Sequence, residues 1–271
     1  MKQKLKKAAF CLAVILITFV IIVASLFLGN PISYLLAWGS ATTLINTEYK
    51  GKDYKIESIG FEMMHGEYVV EIKSPTKADE YFTLWINGFG NIRTNNYDFR
   101  VQDKVNTKAR LGKEYKDFVA ETGFWAALSI TYEYKDARIL THSSDYDGKA
   151  YIPHEDALTT EEVELNKNYD IKELARVHGQ LVIQAMEEEP TYERVAEILL
   201  QAKQLADEKG VPFYTISVYL KEAGDRFSDT KTKVVNFRYE EIYEADLAAR
   251  AKANSDNYEK LSAEAGLGEY I

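Results

Sequence analysis

An uncharged run from Ala8 to Leu28, preceded by Lys2, Lys4, Lys6 and Lys7, constrains this chain more than any other feature. As a helix rising 1.5 Å per residue, it covers about the ~30 Å hydrocarbon thickness of a bilayer. That length favours a transmembrane anchor over a cleaved signal peptide, whose apolar core runs to about 7–15 residues. Val23-Ala24-Ser25 would serve as a cleavage site, but the run continues through Leu26, Phe27 and Leu28. The lysines fix the amino end in the cytoplasm by the positive-inside rule. The expectation is a cell-membrane, single-pass protein whose body, beyond Gly29, is extracytoplasmic. Cys11, the only cysteine, lies near the start of the run and reads as a lipid-facing residue, not a lipidation site.

The formal net charge is −9, and −13 once the four leader lysines are set aside. That balance disfavours nucleic acid and anionic headgroups, which reward clustered Lys and Arg. A single cysteine excludes an intramolecular disulfide and any multi-cysteine metal site, and the four histidines are scattered.

Beyond the anchor, residues 1–29, the hydrophobic period predicts two domains. Gly29-Asn30-Pro31 stops one helix and starts another, which carries Ile32, Leu35, Leu36, Leu44 and Ile45 to about Tyr49. The period then changes to two: Tyr54, Ile56 and Ser58; Tyr68, Val70 and Ile72; Phe82, Leu84 and Ile86; and a fourth strand after Gly88-Phe89-Gly90-Asn91. A helix over about 103–122 completes an α+β domain at 30–123. In the second domain, 124–271, a strand through Leu128, Ile130 and Tyr132 precedes a weakly patterned stretch from Thr141 to Asn168. There follow a short helix capped by Asp170, a strand at Leu181–Ile183, and a helix with Val195, Ile198, Leu199, Ala202 and Ala206 at 3.6-residue spacing. Strands at Phe213–Leu220 and Val234–Tyr239 and an alanine-rich helix from about Glu241 complete it. The fold class expected is α+β: a transmembrane helix and two small α/β sandwiches with antiparallel sheets.

Several constellations resemble functional sites and have plainer explanations. Ser143, Asp145, Asp147 and Gly148 fall at calcium-loop positions, but His154 stands where the bidentate Glu belongs, so Asp147-Gly148 reads as a turn. His142 and His154 lack metal-ligand spacing. Gly88-x-Gly90 begins a dinucleotide fingerprint, yet Arg93 occupies the third glycine position and a strand follows. Glu161-Glu162 and Glu187-Glu188-Glu189 are read as solvated caps. No catalytic, cofactor-binding or metal-ligating residue is therefore assigned, and no cofactor.

Gly29-Asn30-Pro31-Ile32-Ser33, the strand pair DYKIESIGFEMMHGEYVVEIKSP, YFTLWI, NTKARLGKEYKDFV, GQLVIQ, ERVAEILLQAKQLADEKG and VPFYTISVYL together resemble the YfjL-like family of membrane-anchored bacterial proteins. The resemblance implies no established activity and supplies no site residues. The expectation is a non-enzymatic binding or interaction module at the cell envelope, with an envelope protein or peptide as partner. The alternatives are an envelope-polymer hydrolase working through an Asp/Glu pair, or an assembly factor for a membrane protein.

Overall fold

The computed structural model describes residues 10–20, 23, 29–141, 157–224 and 230–264. The chain divides into two compact units, Met1–Asn106 and Thr107–Ile271.

In the N-terminal unit, helix α1 (Pro31–Thr47) starts where Asn30 Oδ1 accepts the Ile32 N–H at 2.8 Å and Pro31 occupies the first turn. Strands β1 (Lys55–Glu62), β2 (Glu67–Lys73), β3 (Tyr81–Asn87) and β4 (Ile92–Asn95) pair in chain order as an antiparallel sheet. Tyr68, Val70 and Ile72 of β2 stand opposite Ile86, Leu84 and Phe82 of β3, and all six are buried. Ala37, Ala41 and Leu44 are the buried residues of α1; two alanines let the helix seat close to the strands it contacts. At the far end of α1, Tyr49, Tyr54, Phe82 and Tyr97 pack as an aromatic cluster with centroids 4.5–6.2 Å apart.

The C-terminal unit contains α2 (Val105–Glu121, from its third residue), α3 (Phe124–Ala127), β5 (Tyr132–Ile139), α4 (Ile171–His178), β6 (Gly179–Glu187), α5 (Tyr192–Lys209), β7 (Thr215–Glu222), β8 (Thr232–Arg238) and α6 (Leu247–Glu264). The sheet runs β5-β6-β7-β8. Its core joins Leu111, Tyr115 and Val119 of α2 to Leu181 and Ile183 of β6, Ile198 and Leu199 of α5, and Ile216 and Val218 of β7.

Several expectations need correction. The single-pass anchor is the first. Among the described residues no helix is long and apolar enough to cross a membrane. Residues 10–20 and 23 of the apolar run are helical, and the other residues of the run lie outside the described ones. The transmembrane fold element, the membrane as a single-span partner and the cell-membrane, extracytoplasmic placement fall with it.

The C-terminal sheet is mixed, not antiparallel: β6 and β7 pair in parallel, Gln180 opposite Thr215 through Glu187 opposite Glu222. An 18-residue helix between two strands returns the chain to the end where it began, and the second strand then runs the same way as the first. The compact units divide at 106/107, and the apolar face of α2, which the hydrophobic period places within 30–123, packs in the second core through Leu111, Tyr115 and Val119. Finally, β5 begins only at Tyr132, and α6 starts at Leu247, after a 3-10 turn at Tyr239–Glu241 and a left-handed Asp246 (φ +51°).

Candidate functional site

A concavity of about 430 Å³ lies in the C-terminal unit at the start of the parallel pair β6–β7. This is within the usual range of small-molecule pockets. Its walls are the last turn of α5 (Ala206, Asp207), the connection Gly210–Tyr214, the end of β8 with Tyr239 and Glu240, and Arg176 from α4.

Local sequence explains how the connection is held. Gly210 takes the left-handed conformation (φ +63°, ψ 39°), which a residue with a Cβ adopts at a cost, and caps α5 by donating to Ala206 O. The Val211 N–H bonds the same carbonyl at 2.8 Å. Val211 and Phe213 are buried, Tyr115 of α2 donates its hydroxyl to Pro212 O at 2.8 Å, and Tyr214 N–H reaches Gly179 O at 2.7 Å. Tyr239 N–H closes the opposite wall onto Tyr214 O at 2.9 Å. Rigid main-chain bonds thus position the aromatic side chains of the cleft.

The charged groups are arranged around this frame. The Arg238 guanidinium stands 5.7 Å over the Tyr214 ring and 3.9 Å from a Glu240 carboxylate oxygen. Lys203 Nζ lies 4.2 Å from the Tyr239 ring centroid and donates to Tyr239 O at 3.2 Å. Tyr239 donates its hydroxyl to Asp207 Oδ1 and meets Phe213 edge-on at 5.0 Å. Burial, then the Asp207 carboxylate, push the Tyr239 hydroxyl up to about 12, so it remains a donor at neutral pH. Two arginines, Arg176 and Arg238, and two carboxylates, Asp207 and Glu240, thus line the cleft beside Phe213, Tyr214 and Tyr239.

A wider crevice, about 780 Å³, opens at the other end of the same strands, lined by Glu187, Glu188, Glu189, Glu193, Arg194 and Glu197 among others. Arg194 is already engaged, by Glu187 at 3.0 Å and Glu197 at 2.8 Å. In the N-terminal unit, Glu80 is buried, accepts the Tyr54 hydroxyl at 2.7 Å and pairs with Lys77 at 3.0 Å. Burial alone would raise its carboxyl, but the Tyr54 hydroxyl and the Lys77 ammonium outweigh it and hold the group below its ordinary value.

The motifs weighed from sequence meet different fates. His142, Ser143, Asp145, Asp147, Gly148 and His154 lie outside the described residues. Among the described residues, no group of three or more His, Cys, Asp or Glu is placed to hold a metal ion. Gly88 and Gly90 form the β3–β4 turn, with Gly90 N–H on Asn87 O at 2.9 Å. Glu162 folds back to accept the Thr159 N–H at 2.8 Å, in a turn and not at a helix start. Glu162 serves Thr159, and Glu187, in the crevice with Glu188, Glu189, Glu193 and Glu197, serves Arg194. Arg176, Tyr214, Arg238 and Tyr239 were not singled out from sequence. They come from separate stretches of the chain, and apart from the neighbours Arg238 and Tyr239 no short spacing links them.

The YfjL-like N-terminal domain matches residues 4–98, and the YfjL-like C-terminal domain matches residues 128–252. The chain belongs to the YfjL-like family. The two matched stretches fall on the two compact units, and the second contains the whole lining of the cleft. No curated protein and no solved structure matches this YfjL-like chain.

The expectation of a membrane-anchored module or hydrolase at the cell envelope is corrected accordingly: the membrane-spanning helix is not found among the described residues, nor is a metal cluster. What stands is a two-unit YfjL-like protein with a cleft of about 430 Å³ in its C-terminal unit.

Proposed function

We propose that the C-terminal unit of this YfjL-like protein is a non-catalytic binding module for a small organic anion with an apolar or aromatic body. The observation that carries the reading is the convergence of Arg176 and Arg238 on one cleft walled by Phe213, Tyr214 and Tyr239, in a chain whose net charge is −9. Arginine stays protonated at every physiological pH and forms paired hydrogen bonds to carboxylate or phosphate. The tyrosine hydroxyl beside it is committed to Asp207.

Calorimetric titration of the full chain with aromatic and aliphatic carboxylates and phosphate monoesters tests the reading. One class should bind with micromolar affinity, and Arg238→Ala or Arg176→Ala should each weaken it by about tenfold or more, the loss of one charge-assisted contact. Absence of binding across the panel, or binding indifferent to both arginines, would overturn it.

A further inference from the structure

Helix α1 contains no charged residue in PISYLLAWGSATTLINT, and only one side of it, Ala37, Ala41 and Leu44, is buried. At 100° per residue, Ile32, Leu35, Leu36, Gly39 and Thr43 fall on the opposite side. Ile32, Leu35, Leu36 and Trp38 are 69%, 64%, 45% and 50% exposed, and Phe89, in the adjoining β3–β4 turn, is 83% exposed. That turn is fastened to α1 by Ser40 Oγ donating to Gly90 O at 2.6 Å, so Phe89 flanks the face.

The threonine hydroxyls of this face are turned inward, and Asn46, near its C-terminal end, is the exposed polar side chain on it. Thr42, Thr43 and Thr47 donate their hydroxyls to Trp38 O, Gly39 O and Thr43 O, each at 2.8 Å. Back-bonding of this kind leaves the methyl groups outward and offers few donors to water or an extended peptide. A helix apolar on both sides is ordinarily covered on both.

We infer that the outer face of α1 is a homodimer interface, packed against the same face of a second copy. Two quantities favour this occupant. The exposed side chains named above offer at most on the order of 700 Å² per copy, a little under the ~800 Å² that each partner contributes to a stable interface. A Cβ placed on Gly39 would meet nothing within 4 Å, so the middle of the face is bare backbone that a second helix can approach closely. A symmetric pair brings each Gly39 to the axis and seats Ile32, Leu35 and Leu36 of one copy beside those of the other. The face carries no lysine or arginine, the groups by which interfacial helices hold anionic lipid.

Sedimentation equilibrium of the full chain at micromolar concentration, without detergent, reads the result directly. The natural chain should be a dimer. Gly39→Leu, which the single copy accommodates in open space, should weaken dimerisation by about tenfold or more while circular dichroism stays unchanged. Leu35→Glu should give monomer, and Gly112→Leu, equally unobstructed but in α2, should leave the dimer as it is. A monomeric natural chain, or a dimer of unchanged affinity in both α1 variants, would overturn the inference. Monomer that floats with phosphatidylcholine vesicles would assign the face to lipid instead and overturn it equally.

Discussion

The side-chain amide of Asn254 is bonded to both main-chain groups of Val235: Oδ1 accepts the Val235 N–H at 2.9 Å and Nδ2 donates to the Val235 carbonyl at 3.0 Å. Val235 lies on β8, the edge of the C-terminal sheet, and Asn254 on α6. At this one residue the amide does what a neighbouring strand would do, on an edge whose free groups could otherwise pair with an added peptide. Asn254→Ala should destabilise the C-terminal unit by about 2 kcal/mol, since it leaves two partly buried main-chain groups without their partner. Urea denaturation followed by tryptophan fluorescence measures this. A loss below a few tenths of a kcal/mol would mean that water replaces the amide at no cost.

Glu80 links stability to pH. Its carboxyl is held below the ordinary carboxylate value in the folded state. The stabilisation is therefore complete above the unfolded-state value and is lost as pH falls through the lowered folded value. Acid titration of the natural chain should show this loss, and Glu80→Gln should flatten it while lowering stability at neutral pH by about 1–3 kcal/mol. Equal acid sensitivity in the two proteins would show that other carboxylates govern the transition.

The position of α2 makes a prediction about fragments. A chain of residues 107–271 retains Leu111, Tyr115 and Val119, all buried in the second core, whereas residues 124–271 lack them. The longer fragment should unfold cooperatively. The shorter one should lose cooperativity, since removing one large core side chain already costs about 2–5 kcal/mol. Thermal melts by circular dichroism distinguish the two, and equal melting would return the boundary to 123/124.

In the cleft, Tyr239→Phe removes the hydroxyl that Asp207 accepts. The released carboxylate should repel an anionic ligand and lower its affinity several-fold, while stability changes by about 1 kcal/mol. Because the natural hydroxyl sits at about 12, affinity should stay flat from about pH 6 to 9. A steep fall across that range would implicate a different group.

Much of the architecture is readable from local pattern. Alternation along Tyr68, Val70 and Ile72 marks the buried face of β2, Asn30-Pro31 marks the start of α1, and the spacing of Val195 to Ala206 marks α5. These signals are local because a pleat or a helical turn is local. Strand direction is not readable in the same way: β6 and β7 have the same apolar pattern whether parallel or antiparallel, and only the helix between them decides. The cleft is further from view. Arg176, Asp207, Tyr214 and Arg238 acquire a common environment only once α4, α5 and β8 have packed. Asn254 also resembles any polar residue of an alanine-rich helix until the edge residue it bonds is known.

The hydrogen bond from Tyr115 to Pro212 joins residues 97 apart in sequence. During synthesis, the N-terminal unit has its own residues complete once Asn106 has emerged. Helix α2 emerges next with Leu111, Tyr115 and Val119 exposed, because the strands and helix that cover them have not yet been made. At ribosomal rates of ~5–20 residues per second, Tyr115 waits about 5 to 20 s for Pro212. For that interval an apolar stripe, not a folded surface, is what chaperones and proteases meet at the tunnel exit.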